Sequence, residues 1–307
     1  MSEPGNFEKR APRNYSPRLP RTDQIFWPWL PSSLRLHWPE YLMEAGELAV
    51  YMFFACAFAI LLQHPASPLR HAVASGFLRR ALLGLGLGAT ITAIILTPWG
   101  KQSGGHLNPA ITLTFYRLGK IDASDALAYF TAQFAGATGG VAVAALVLRD
   151  LPKDHAVRYA LTAPGAFGSG PAFAGELAIS FILMLVILLL TNHERLERFT
   201  PYFVGALFAL YIAFESPLSG MSMNPARTFG PAFYANYWRA IWIYFLAPSL
   251  GMLAAAELYL RATHGAGPYC AKLHHTNNKR CIFRHGYGDA RPLFGSLPGA
   301  AKPAART

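Results

Sequence analysis

Asn108 and Asn224 each open an Asn-Pro-Ala tripeptide, and the two tripeptides share a frame. Ser103-Gly104 precedes Asn108-Pro109-Ala110 at the offset by which Ser219-Gly220 precedes Asn224-Pro225-Ala226, and Thr112 and Thr228 follow at matched positions. Asn is a strong helix N-cap, and Pro, which has no N–H to lose, suits the first helical turn. Each tripeptide therefore reads as a cap followed by a helix start. The residues after it, 111–115 and 227–231, supply only short helices. The Asn side-chain amide also carries N–H donors. Two such amides at facing helix N-termini would donate to water oxygens in single file. The positive ends of both helix dipoles would then disfavour proton relay and cation entry.

A second group of reactive side chains lies near the C-terminus. Cys270 is followed by His274 and His275, and Cys281 by His285, so Cys-x3-His occurs twice, eleven residues apart. Two thiolates and two imidazoles make a tetrahedral zinc set, although the spacing is not that of a standard finger. The alternatives are a redox pair of thiols and a basic, solvated tail with no specific role. Cys56 stands alone in an apolar stretch and reads as a small core residue. No nucleophile–base–orienter set appears among the loop residues, which argues against an enzyme.

The elements that carry the tripeptides repeat as well. Ala45-Gly46-Glu47-Leu48-Ala49 matches Ala174-Gly175-Glu176-Leu177-Ala178, and Gln133 through Gly136 has a weaker partner in Pro248 through Gly251. An internal repeat of this kind sets the fold. Each half reads as a span with a buried Glu, a second span, an Asn-Pro-Ala loop and a third span. Three spans per half is odd, so the second half enters the membrane from the opposite side and the repeat is inverted.

Composition agrees with a membrane protein. Hydrophobic residues make up 53% and charged residues 14% of the 307, against about 25% charged in soluble chains. Six apolar spans are expected at 41–63, 77–97, 125–148, 172–191, 200–215 and 237–260. Most reach the roughly 20 residues a helix needs to cross hydrocarbon, and none alternates as a barrel strand would. Trp27, Trp29, Trp38, Tyr41, Trp99, Tyr237 and Trp238 lie near span ends, where amphipathic rings favour the interface. Gly84/Gly88 and Gly136/Gly140 have the spacing that lets helix backbones approach closely. The prediction is an all-α membrane protein of six transmembrane helices plus two half-helices in an inverted repeat. Residues 1–38 form a disordered basic segment. Residues 39–261 form the membrane domain, with repeats at about 41–148 and 172–260. Residues 262–307 form a tail with the Cys/His cluster.

The formal net charge is +11, concentrated at the ends. Residues 1–38 hold six Lys/Arg against three Asp/Glu, and residues 261–307 hold eight against one. Lys/Arg excess marks the cytoplasmic side, so both termini are expected there. Arg70, Arg79 and Arg80, around a loop that would face outside, run against this assignment. Topology and anionic lipid heads account for the basic charge, and no nucleic-acid partner is expected. The first 38 residues have no apolar signal-peptide core; residues 25–29 are expected to rest on the membrane surface.

The segments Ser103 through Leu113 and Ser219 through Ala232 carry a family resemblance. The chain resembles the aquaporin and glycerol-facilitator family, the major intrinsic proteins, across roughly residues 41–260. That resemblance implies a homotetramer in an inner or plasma membrane, each subunit with its own pore. It implies that Arg227 is the arginine of the outer selectivity constriction. Met221, Ile212 and either Leu87 or Gly88 would complete that constriction, with Ile212 where water-selective members usually have His. Glycerol facilitators usually carry Asp after the arginine and a basic residue four further on, where this chain has Thr228 and Ala232. With the aromatic pair Tyr244-Phe245, these positions imply the water-type branch, while Ile212 implies weaker exclusion of small neutral solutes.

Glu47 and Glu176, ionisable groups within spans, mark either a proton path or acceptors for loop backbone. Their equivalent places in the repeat favour the second. Gln133 is expected to support the loop backbone too. His106 either lines the pore on the cytoplasmic side or packs there. The expected function is a passive channel passing water in single file, with small neutral solutes, and excluding ions. Its partners are water, solutes and lipid. Transport needs no cofactor, and zinc enters only through the tail. The alternative is a glycerol or small-solute facilitator. A secondary transporter would need a coupling-ion site, and none is evident beyond the two glutamates. A structural scaffold would not need Arg227 and both asparagines.

Overall fold

The computed structural model describes residues 31–286. Eight helices carry the fold: α1 (Trp38–Gln63), α2 (Gly76–Leu96), α3 (Pro109–Arg117), α4 (Ala123–Leu148), α5 (Ser169–Thr191), α6 (Thr200–Phe214), α7 (Pro225–Ala235) and α8 (Ile241–Ala262). Helical turns at Ser32–Leu36, Pro68–Ala72, Pro98–Ser103 and Ser216–Ser219 lie between them. The chain is an integral membrane protein of the expected all-α class. Among the described residues, five helices, α1, α2, α4, α5 and α8, are long and apolar enough to cross a membrane. The sixth expected span, α6, has 15 residues, about 22 Å of helix, and the turn at Ser216–Ser219 carries the chain on from its end.

Three helix pairs build the bundle: α1 with α4, α5 with α8, and α2 with α6. Glycines set their closeness, as expected where apolar lipid gives helices no hydrophobic reason to associate. A Cβ on Gly136 or Gly140 would lie 2.2 or 2.3 Å from the carbonyl oxygens of Ala45 or Ala49 on α1. One on Gly84 or Gly88 would lie 2.5 or 2.3 Å from those of Ala209 or Gly205 on α6. The short helices α3 and α7 run in opposite directions from a common junction. The chain after α3 meets the C-terminal segment, where Arg284 N donates to Lys120 O at 3.0 Å. The chain after α7 meets the loop between α4 and α5, where Arg158 stands 4.9 Å over the Tyr237 ring.

Both ends of the described chain differ from expectation. Residues 32–38, expected to be disordered, form a helical turn and the start of α1. They are fixed by Ser33 to Ser124 at 2.7 Å and His37 to Asp125 at 2.8 Å. Residues 266–286, expected to be a free polar tail, fold onto the end of the bundle that carries residues 32–40. There Arg280 Nη2 donates to Leu36 O at 2.5 Å, and Tyr269 N donates to Asn192 Oδ1 at 2.7 Å. Trp27, Trp29, residues 25–29 and residues 287–307 lie outside the described residues.

The three arginines that conflicted with the charge rule have local partners. Arg70 Nη1 donates to Gln63 O at 2.5 Å, at the end of α1, and Arg80 Nε to Ala213 O at 3.3 Å, at the end of α6. Arg79 Nη1 donates to Val73 O at 2.8 Å. Cations at helix C-termini complement the dipole and the unpaired carbonyls there, whichever side of a membrane they face.

Candidate functional site

The two Asn-Pro-Ala segments meet at the centre of the molecule. Asn108 and Asn224 cap α3 and α7: Asn108 Oδ1 accepts from Ala110 N at 2.9 Å, and Asn224 Oδ1 accepts from Ala226 N and Arg227 N at 3.0 and 3.2 Å. Pro109 and Pro225 take the first helical position. Capping fixes each amide plane and leaves Nδ2 pointing across the junction. Asn108 Nδ2 donates to Met223 O and Asn224 Nδ2 to Leu107 O, both at 2.7 Å. Leu107 (φ 49°) and Met223 (φ 55°) turn their carbonyls toward the opposite loop through left-handed backbone, a conformation bulky residues rarely adopt. Each Nδ2 keeps one N–H for a guest.

The rest of each loop is held in the same way in both halves. Ser103 Oγ accepts from Gly105 N at 3.1 Å, and Ser219 Oγ from Met221 N at 3.0 Å. Tyr129 OH donates to Ser103 O at 2.6 Å, and Tyr244 OH to Ser219 O at 2.5 Å. Tyr244, read as a mark of the water-type branch, is thus a loop support, and Phe245 stacks on Phe134 at 5.9 Å.

Buried carboxylates hold the loop N–H groups, and here the repeat frame shifts by one helical turn. Glu176 accepts from Ser219 Oγ (2.8 Å), Ser222 N (2.6 Å) and Met223 N (2.7 Å). In the first half, Glu44 accepts from His106 N and Leu107 N at 2.8 and 2.7 Å. Glu47, the expected partner, takes only the Ser103 hydroxyl, at 3.1 and 3.2 Å. The glycine crossings explain the shift. Gly136 packs on Ala45, the residue after Glu44, as Gly251 packs on Leu177, the residue after Glu176. Gln133 bonds Glu44 at 2.9 Å and Thr112 at 3.0 Å, rather than loop backbone.

A narrow cavity of about 20 Å³ lies at the junction. Its apolar wall is Leu48, Tyr51, Ile91, Ile95, Ile111, Leu183, Val204 and Phe208; its polar groups come from Gly105, His106, Leu107, Asn108 and Asn224. Leu87 lies on the α2 face that carries Ile91 and Ile95, whereas Gly88 is consumed by the crossing with Gly205. Ile212 lies one turn beyond Phe208 on α6 and is buried. Arg227 is buried, with Nη1 donating to Ala160 O at 2.9 Å. The loop that supplies Ala160 also binds the far end of α1, where Cys56 Sγ meets Tyr159 O at 3.5 Å. Arg227 therefore sits on the side of the asparagines away from residues 266–286. Met221 is buried, in left-handed backbone (φ 52°).

At the opposite end the C-terminal segment packs against the cavity. His106 lies between the rings of Phe115 and Phe283, at 5.1 and 5.3 Å. Its Nδ1 faces Thr112 Oγ1 at 3.0 Å and its Nε2 faces Ala271 O at 2.9 Å. Leu273 N donates to Gly104 O at 3.0 Å, and Leu273 joins the cavity lining. No sequence pattern pointed to Leu273 or Phe283, because the repeat ends before them.

Of the expected metal set, Cys270, Cys281 and His285 converge, with ligand atoms within 4.8 Å of one another. His274 and His275 do not join them. His275 Nε2 pairs with Glu197 Oε2 at 2.5 Å, and the His274 carbonyl accepts from Asn277 Nδ2 at 2.6 Å. A bond from Cys270, with His285 and Lys272 beside it, holds the Cys281 thiol well below its usual range.

The family model described as Major intrinsic protein matches residues 33–259. Aquaporin NIP1-4 of Oryza sativa subsp. japonica is 36% identical over 173 residues, 56% of this chain and 61% of that protein. The chain thus spans about three-fifths of that relative's length. Glycerol uptake facilitator protein-like 6 of Lactiplantibacillus plantarum is 34% identical over 190 residues, 60% of this chain and 85% of that protein. The solved aquaglyceroporin of Plasmodium falciparum shares the fold, with TM-score 0.62 and 22% identity, covering 73% of this chain and 95% of that one. These likenesses do not favour a strictly water-type branch.

Proposed function

The chain belongs to the major intrinsic protein family, and on that premise we propose that it is a passive channel for water and small neutral solutes. The observation that carries this reading is the pair Asn108 and Asn224, cross-bonded at 2.7 Å on the wall of one cavity between two facing helix N-termini. Each amide has a spare N–H for a passing oxygen. The wall opposite is apolar, so a water finds no competing acceptors there, and two converging dipoles repel cations and hydronium. Arg227 is the fixed charge of a constriction with Met221, Ile212 and Leu87. Because Leu87 and Ile212 are aliphatic, that constriction admits small neutral solutes beside water. Pro109, Ala110, Pro225 and Ala226 set the helix starts, Glu44 and Glu176 hold the loops, and Gln133 braces Glu44. The termini face the cytoplasm, and the working unit is a homotetramer with one pore per subunit.

Proteoliposome permeability, measured in parallel for water and glycerol on protein as purified and after chelation, tests the reading. The expected result is non-saturating flux of both, insensitive to a proton gradient. Flux indistinguishable from empty liposomes in every sample, or uptake that saturates and follows the proton gradient, overturns it.

A further inference from the structure

The segment 270–285 brings its two thiols together, and the same segment packs against one end of the cavity. Cys270 Sγ and Cys281 Sγ stand 3.7 Å apart. A disulfide requires 2.03–2.05 Å, so the two sulfurs are not bonded. Two thiolates on one tetrahedral zinc, each about 2.3 Å from the ion, stand about 3.8 Å apart. His285 supplies a third ligand atom within the same 4.8 Å cluster. Lys272, two residues on from Cys270, is buried. Lys272 Nζ donates to Arg280 O at 2.6 Å, and Lys120 Nζ bonds Gly286 O. The first bond ties the segment back on itself, and the second ties its end to the chain after α3.

The residues interleaved with the ligands pack against the His106 end of the cavity. Ala271, next to Cys270, takes the His106 imidazole at 2.9 Å. Leu273, three residues from Cys270, bonds Gly104 O at 3.0 Å and lines the cavity. Phe283, between Cys281 and His285, stacks on His106 with its plane tilted by 14°. Bringing Cys270, Cys281 and His285 to one point therefore seats Ala271, Leu273 and Phe283 over the mouth.

We propose that Cys270, Cys281 and His285 bind a zinc ion that locks this segment in place as a plug, so that metal occupancy closes the channel. Three protein ligands leave one tetrahedral position open to water. Ordering the segment is linked to binding the ion, since the unfolded segment offers no preformed site. Without the ion, only scattered hydrogen bonds hold the two thiols and the imidazole near one another, and the segment detaches from Gly104 and His106. The gating half rests on the channel reading above; the metal site does not.

The test uses the full chain purified without chelator. Elemental analysis should give about one zinc per chain, and cobalt substitution should give thiolate-to-metal charge-transfer bands with tetrahedral d–d absorption. Cys281→Ser should lose both signals. Less than about a tenth of a zinc per chain, with titratable reduced thiols or with an oxidised Cys270–Cys281 pair, overturns the metal site. Proteoliposomes loaded with zinc, then chelated, report the gate. Water flux should rise about ten-fold on chelation, as for a plug seated nine-tenths of the time, and fall again when zinc returns. Leu273→Ala and Phe283→Ala should raise the zinc-loaded flux while zinc stays bound. Bound zinc with flux unchanged by chelation and by both substitutions overturns the plug. Bound zinc with no flux in any state or variant overturns the channel reading, and the gate with it, while confirming the metal site.

Discussion

Asn108 and Asn224 reach past one another: each side-chain amide donates to the carbonyl of the residue that precedes the other, at 2.7 Å in both directions. One bond joins the loops in each direction, and each asparagine also caps its own half-helix. Asn→Ala at either site removes a cap worth about 1 kcal/mol and leaves a buried carbonyl of the opposite loop without its donor, worth about another 1–3 kcal/mol. The second substitution then removes a bond from a junction already loosened. Thermal unfolding of both single variants and the double should give a less-than-additive loss, with a coupling of about 0.5–3 kcal/mol. Strict additivity would mean that the two loops do not support each other.

Leu87 and Gly88 were alternatives in the sequence, and they make opposite predictions. Gly88→Ala forces a Cβ to 2.3 Å from the Gly205 carbonyl. It should cost about 1–3 kcal/mol by overpacking the α2–α6 crossing and lower folded yield without changing the ratio of glycerol to water flux. Leu87→Ala removes a side chain from the α2 face that carries Ile91 and Ile95. It should raise glycerol flux relative to water by about ten-fold. Proteoliposome flux ratios decide this, and a ratio that changes for Gly88→Ala but not for Leu87→Ala would reverse the assignment.

Much of this site was legible because it is written in small, repeated residues. Asn-Pro-Ala gave the caps, the half-helices and their meeting, and Gly136/Gly140 gave a real crossing. Glu47 was misread because Ala-Gly-Glu-Leu-Ala recurs by letter, while the structural repeat follows the glycine contacts and puts Glu44 opposite Glu176. The docking of residues 266–286 was illegible for a different reason. Its contacts, such as Leu273 to Gly104 and His106 to Ala271, join positions 165 or more residues apart in sequence. No periodicity encodes such pairings.

Ile212 lies on the α6 face that carries Val204 and Phe208 on the cavity wall. Ile212→His puts a polar ring where the constriction is aliphatic. Glycerol flux should fall by about ten-fold or more, since the larger solute loses both room and apolar contact, while water flux falls less because water can bond the imidazole. Stopped-flow swelling with each solute measures this, and equal losses of both would take Ile212 out of the constriction.

Glu44 and Glu47, one turn apart on α1, should differ sharply when neutralised. Glu44 accepts two loop N–H groups and Gln133, while Glu47 accepts one hydroxyl. Glu44→Gln replaces one accepting oxygen with an NH2 group that faces the His106 N–H or, on the other side, the Leu107 N–H and the Gln133 amide. At least one buried donor is left unpaired beside another donor. Hydrogen bonds to charged groups contribute about 1.5–3 kcal/mol each, so a loss of about 2–4 kcal/mol is expected, with reduced water flux as the loop before Asn108 relaxes. Glu47→Gln keeps an oxygen for the Ser103 hydroxyl and should cost about 1 kcal/mol or less. Glu176→Gln should resemble Glu44→Gln, because its partners are the equivalent loop N–H groups of Ser222 and Met223. Thermal melts of the three variants rank them directly. If Glu47→Gln matched Glu176→Gln and Glu44→Gln were mild, the functional repeat would follow the letters of the sequence, and the one-turn shift drawn from the Gly136 and Gly251 crossings would be wrong.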